Sequence, residues 1–228
     1  MFLLHELRAS LAPQSFRNWS ARAIKSSVWL VQIMAAASLT AVGADVQRGS
    51  LDDLESLRIG AAAADAVIHA GFNHDFSNYA VAAETDRLAI ETIGSVLAGS
   101  ERPFIVTSGT ALGTPGRIAT EEDAANSTFP RKSEKAAASA AARGVRVSVL
   151  RLPPSVHGDS DHGFVPLLIG YRSRKRRLGL YRGRLNHWPA VHRLDAARLY
   201  RLVLERAPGQ PAITQSRTGA YRSVRSLR

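Results

Sequence analysis

The sequence contains no cysteine, which excludes disulfides and thiolate metal sites. Acids are nearly missing from residues 171–228, where two stand against fifteen Lys/Arg. Charge of either sign is missing from Val28 to Ala44, VWLVQIMAAASLTAVGA. No internal repeat is visible, and no aromatic or Gly-rich RNA-recognition pattern accompanies the arginines of the tail. The net charge of +11 is therefore a property of one end, since residues 45–135 carry fourteen acids against eight bases. A basic tail can bind nucleic acid or an anionic surface. Without a recognition pattern, the preferred reading is a solvated, irregular end.

The 17-residue charge-free run is marginal for a membrane span. The basic stretch before it is too long for a standard secretory signal. Its Arg/Ser content also fits an organellar targeting segment over residues 1–44. The reading adopted is a buried helix behind a ragged start, no membrane span, and a cytoplasmic protein.

What is present is alternation. The length of 228 residues and a hydrophobic fraction of 45% suit one α/β domain or two small ones. ADVQRG reads as a short strand. LDDLESLRIGAAAA reads as a helix capped by Ser50 or Asp52, with Glu55 as capping-box partner. DAVIHAG is an apolar strand, and Val81 to Ala98 a helix with Val81, Leu88, Ile90, Ile93 and Val96-Leu97 on its apolar face. FIVTSGT, SEKAAASAAARG and VRVSVLRLPP form a strand–helix–strand unit. A short strand or loop at 186–191 and a helix from His192 to Ala207 follow, and the pattern dissolves past Gly209.

Such alternation predicts a doubly wound parallel sheet, whose ligands lie beyond the carboxyl ends of its strands. Those ends are Thr107-Ser108-Gly109 and Pro153-Pro154-Ser155-Val156-His157. His157, Asp159, Asp161 and His162 fall close together, but loop spacing without a regular frame favours a hydrated loop over a metal site.

The blocks VQRGSLDDLESL, DAVIHAGFNHDFS, ETDRLAIE, RPFIVTSGT, ARGVRVSVLRLPPSVHGDSDHGFVPLLI and WPAVHRLDAARLYRLVLE resemble the NAD-dependent epimerase/dehydratase branch of the short-chain dehydrogenase/reductase superfamily. The match runs over about residues 35–207. The resemblance implies a Rossmann-like domain binding NAD or NADP, and hydride transfer at a carbonyl or carbinol of an unknown small molecule. It implies cofactor contacts from Ser50 and Leu51 near the adenine. His69, Ala70 and Gly71 would lie near the phosphates and ribose, and Thr107, Pro153 and Ser155 near the nicotinamide. Ser108 would orient the reacting oxygen, with Gly109, His157 and His162 on the substrate side. The segments expected are 1–34, atypical; 35–170, the cofactor-binding core; and 171–228, a partial substrate side with a basic tail.

Three departures accompany the likeness. Residues 1–34 contain no glycine, so the family's pyrophosphate-binding Gly turn is absent, and the Rossmann fold is expected to be incomplete at its N-terminus. Pro130 and Glu134 stand where the family's Tyr-x-x-x-Lys pair would fall, so any proton donor must be another group, with His157, His162 and Glu134 as candidates. The likeness also breaks off at both ends, which predicts a truncated or altered reading frame there. The competing readings are a degenerate, non-catalytic binding protein of the same fold, or a basic binder acting through residues 171–228.

Overall fold

The computed structural model describes residues 2–5, 27–30, 40–41, 44–74, 76–110, 123–159, 165–166, 169–170, 187–206, 212–215 and 220–222. Seven strands form a wholly parallel sheet: β1 (Phe2–His5), β2 (Ser27–Leu30), β3 (Asp45–Arg48), β4 (Ala66–His69), β5 (Phe104–Gly109), β6 (Val147–Leu152) and β9 (Ala212–Gln215). Their order is β3-β2-β1-β4-β5-β6-β9, so the winding reverses between β1 and β4. A three-stranded sheet joins β7 (Ser155–His157), β8 (His187–His192) and β10 (Ala220–Arg222), in the order β10-β8-β7.

Among the described residues four α-helices flank the strands: α1 (Leu54–Ala63), α2 (Tyr79–Leu97), α3 (Ser133–Ala142) and α4 (Arg193–Arg206). Successive side chains of a strand point to opposite faces. Val67, Phe104, Val106, Val147 and Val149 accordingly meet Leu57, Ile90, Ile93 and Ala140 of α1–α3 on one face. Ala66, Ile68, Ile105 and Leu150 meet Ala196, Tyr200 and Leu204 of α4 on the other. A strand covered on both faces is apolar throughout, which is why AVIH and FIV show no alternation. Ile90 and Ile93 are fully buried, and each such side chain contributes about 1.5–3 kcal/mol.

Local chemistry sets the helix ends. Asp53 caps α1 by accepting from the Ser56 N–H at 3.1 Å. That displaces the expected Ser50/Asp52 cap: the Ser50 hydroxyl accepts from the Asp52 N–H instead, at 3.3 Å, and Glu55 lies 3.4 Å from Arg58. Arg102 closes the far ends of α1 and α2, donating to the carbonyls of Ala61 at 2.8 Å, Ala64 at 2.9 Å and Val96 at 3.2 Å. Gly144 ends α3 at φ +82°, a conformation that side chains with a Cβ resist. Helices α2 and α3 cross closely at Gly94, where a Cβ would lie 2.9 Å from that of Ala140.

Several expectations change. Val81 and Leu88 are 57% and 38% exposed. Ile90, Ile93 and Leu97 are buried as expected, and Ala82, Ala83, Asp86 and Ala89 complete the buried stripe of α2 in place of Val81 and Leu88. The charge-free run does not open as a helix, since its first residues belong to β2; most of residues 31–43 lie outside the described residues. The N-terminal incompleteness is one of the glycine turn and not of the strands, because β1 pairs with both β2 and β4 at the sheet centre. Past Gly209, β9 extends the large sheet beside β6, and β10 lies antiparallel to β8. Among the described residues, no helix is long and apolar enough to cross a membrane.

Candidate functional site

A polar layer lies between the sheet and helices α2 and α3, at the carboxyl ends of β4, β5 and β6. Strand alternation puts His69, Ser108 and Arg151 on the face that carries Val67, Val106 and Val149. His69 and Asp86 are both 0% exposed, with His69 Nε2 2.8 Å from Asp86 Oδ1. The other oxygen, Asp86 Oδ2, accepts from the Ser133 hydroxyl at 2.5 Å. Ser133 Oγ accepts in turn from Arg131 Nε at 2.7 Å. Arg131 Nη2 donates to the Thr107 carbonyl at 2.9 Å, and the guanidinium lies 4.2 Å over the Phe72 ring.

Burial alone would push the Asp86 carboxyl up. The hydrogen bond from His69, the charge of Arg131 and the bond from Ser133 outweigh it and hold the group below the usual carboxylate range. Asp86 is thus a buried anion whose oxygens both accept hydrogen bonds. Such a charge is tolerated only when it is paired and hydrogen-bonded.

Next to this chain sits a second pair. Arg151 Nε and Nη2 donate to the two oxygens of Glu134 at 2.8 and 2.7 Å, and Nη2 also donates to the Asp123 carbonyl at 2.6 Å. The side chains are 4% and 10% exposed. Glu134, expected as a candidate proton donor, is committed to this ion pair.

Ser108 ends this layer. It is 2% exposed, and its hydroxyl has no hydrogen-bond partner among the described residues; the same holds for the Thr110 hydroxyl. Thr107, one residue back, faces the other side of the sheet. Its hydroxyl is 2.6 Å from the Tyr200 hydroxyl. Burial pushes the Tyr200 phenol well up, with the Thr107 bond a smaller opposing effect, so it stays protonated. The Thr107 hydroxyl therefore fastens α4 to β5 and is not offered at the strand end.

The remaining expected contacts scatter. Leu51 is buried in the core, and Ser50 forms the turn into α1. Ala70 packs against the α4-side core, and Gly71 is buried. Pro153 and Ser155 are buried where β6 gives way to β7. At Gly109 a Cβ would meet only the Leu152 carbonyl oxygen, at 3.8 Å. His157 is exposed at the end of β7, its ring 5.5 Å from that of His192 across the β7–β8 pair. His162 lies outside the described residues. Among the described residues no cluster of three or more His, Asp or Glu can hold a metal.

The sequence reading missed Asp86, Arg131, Arg151 and Tyr200. Two left a signal: Asp86 is a carboxylate on the apolar stripe of α2, and Arg151 interrupts the apolar strand SVLRL.

With this geometry in hand, the chain can be set beside known proteins. It is similar over 94% of its length to a dTDP-glucose 4,6-dehydratase from Streptomyces venezuelae, solved with NAD and TYD bound. The identity is 22%, 75% of that chain is covered and the TM-score is 0.71. It is also similar to the WbmH enzyme of Bordetella bronchiseptica in complex with NAD+, at 12% identity, 97% and 77% coverage and TM-score 0.75. A UDP-N-acetylglucosamine 4-epimerase from Bacillus cereus gives 9% identity, 96% and 79% coverage and TM-score 0.71.

The chain has the fold of the NAD-dependent epimerases and dehydratases.

No family model matches the sequence. Uncharacterized protein C2A9.02 of Schizosaccharomyces pombe is 47% identical over 174 residues, covering 75% of this chain and 59% of that protein. Uncharacterized protein YLL056C of Saccharomyces cerevisiae is 42% identical over 166 residues, covering 72% and 56%. The chain thus spans under three fifths of the length of these curated relatives. Within this fold, Ser108 is the last residue but one of β5, and the chain reverses its winding between β1 and β4.

Proposed function

We propose that this chain is an NAD(P)-dependent oxidoreductase or epimerase/dehydratase-like protein of the short-chain dehydrogenase/reductase type, acting at a carbonyl or carbinol of a small molecule. The observation that carries the reading is the Ser108 hydroxyl, 98% buried at the carboxyl end of β5 and without a partner among the described residues. An unpaired buried hydroxyl costs about 1–3 kcal/mol, a cost that a ligand oxygen at the strand end would remove. NAD(P), when bound, accepts or returns the hydride; Ser108 donates its hydrogen bond to the reacting oxygen. The orphan hydroxyls of Ser108 and Thr110 suit the reactive end of such a cofactor. The glycine-free segment before residue 35 offers no family-type pyrophosphate turn, so affinity should be weaker than in glycine-turn relatives.

A second reading has its own observation. Pro130 and Glu134 stand where the resemblance would put the family's proton donor and its partner, and Glu134 is held in an ion pair by Arg151, which favours a binding protein of the same fold without turnover. Titrating NADH and NADPH against the full chain, by fluorescence and thermal shift, tests both. Stabilisation weakened by Ser108→Ala supports a ligand at this site. No stabilisation at millimolar cofactor would refute the enzyme reading. Cofactor binding without exchange of label between cofactor and any carbonyl compound would favour the second.

A further inference from the structure

We propose that Arg131 is an anion-recognition group and that the ligand of this site carries a carboxylate beside the carbon whose oxygen Ser108 binds. The role of Ser108 rests on the function proposed above, whereas the anion site does not.

Arg102, Arg151 and Arg131 differ in how they use their donors. Arg102 donates to four helix carbonyls, of Ala61, Ala62, Ala64 and Val96, as well as to Ser100. Arg151 grips both oxygens of Glu134 and the Asp123 carbonyl. Arg131 uses Nε on Ser133 and one Nη2 hydrogen on Thr107. A guanidinium has five N–H donors in a fixed fork. Three of those on Arg131, two of them on Nη1, therefore have no partner among the described residues.

Asp86 does not use that edge. It approaches Arg131 at Nε, with Oδ2 at 3.6 Å, and both its oxygens already accept from His69 and Ser133. The carboxylate sits on the Nε side of the guanidinium, and the Nη1 edge has no partner among the described residues. Phe72 covers one face of the plane at 4.2 Å, and the Arg131 side chain is only 13% exposed. The result is a cation immobilised before any ligand arrives, in a site that excludes most water. Carboxylates are bound most specifically by such a planar fork.

Position narrows the ligand. The last β4–β5 pair is His69↔Val106. Arg131 binds the carbonyl of the next residue, Thr107, and the orphan hydroxyl belongs to the residue after that. A dinucleotide's phosphates belong at the winding reversal between β1 and β4, on the other side of β4. A guanidinium anchored on the Thr107 carbonyl and an orphan hydroxyl on the next residue of the same strand suit a 2-oxo or 2-hydroxy acid, carbonyl oxygen on Ser108 and carboxylate on Arg131.

Isothermal titration of the full chain with oxalate, and with its neutral isostere oxamide, tests the inference directly. Oxalate should bind, and oxamide should bind at least about tenfold more weakly, as the loss of a charge-assisted pair implies. Equal affinities, or no oxalate binding, would overturn the proposal without any variant. Arg131→Lys should weaken oxalate by about tenfold, since an ammonium group cannot reproduce the fork. Arg131→Gln leaves Asp86 without its cation, so the Asp86→Asn/Arg131→Gln double variant, melted first to establish folding, is the companion; it too should lose oxalate. Retained oxalate affinity in either Gln variant would overturn the assignment. Each titration is repeated with NADH. Oxalate binding with no NADH response sustains the anion site and sinks the dehydrogenase-type reading, while NADH binding with no oxalate response does the reverse.

Discussion

Replacing Glu134 with alanine should destabilise the fold by about 3–5 kcal/mol, the usual cost of stranding one member of a buried ion pair. The magnitude follows from burial. Arg151 is 4% exposed and donates to both oxygens of Glu134, at 2.8 and 2.7 Å. Without the carboxylate its charge stays in a place water scarcely reaches. In a chain of this size that corresponds to a fall in Tm of roughly 6–20 °C. Replacing both members by apolar residues of similar volume, Glu134→Leu with Arg151→Met, removes the stranded charge and should recover most of the loss. Urea melts of the wild type, both single variants and the double variant form the cycle. A Glu134→Ala cost below about 1 kcal/mol would refute the reasoning, because the pair would then be behaving as a solvent-screened surface contact. A double variant no better than the sum of the singles would refute it equally.

Other perturbations probe other joints. Tyr200→Phe should cost about 1–2 kcal/mol by leaving the Thr107 hydroxyl unpaired, read from denaturant midpoints. Gly94→Leu should cost about 1–3 kcal/mol or more by forcing α2 and α3 apart, since even a Cβ there comes within 2.9 Å of Ala140; thermal melts check it. The Asp86 carboxyl is held below its ordinary value of 3.8 by His69, Arg131 and Ser133, against the opposing effect of burial. A depressed carboxylate contributes stability that is fully present above its unfolded pKa and lost as pH falls through the folded one. Urea melts taken as the pH falls from neutral down through and below the ordinary carboxylate range should therefore show a steep loss in the wild type and a shallower one in Asp86→Asn.

The central strands and helices were legible because their signals are local. AVIH and FIV are apolar runs of strand length, and SEKAAASAAARG carries its own stop at Gly144. Phe2–His5 and Ser27–Leu30 were not legible: four-residue strands in a sequence without turn glycines lack boundaries, and it is pairing with β4 and β3 that defines them. Ser108 could be read from its place at a strand end. The polar layer around it could not, because His69, Asp86 and Ser133 are separated by 17 and 47 residues and meet only through packing. The partner of Thr107 was hidden for a related reason: adjacent to Ser108 in sequence, it faces α4, where Tyr200, 93 residues on, takes its hydroxyl.

The central claim is that the carboxyl end of β5 is a ligand site served by the orphan hydroxyl of Ser108. The most direct measurement is a thermal-shift titration of wild type and Ser108→Ala with oxalate, with and without NADH or NADPH. The variant, relieved of an unpaired buried hydroxyl, should fold at least as stably as the wild type and be stabilised less by oxalate. A wild type indifferent to oxalate and to both dinucleotides, or a variant that oxalate stabilises as much as it does the wild type, would contradict it.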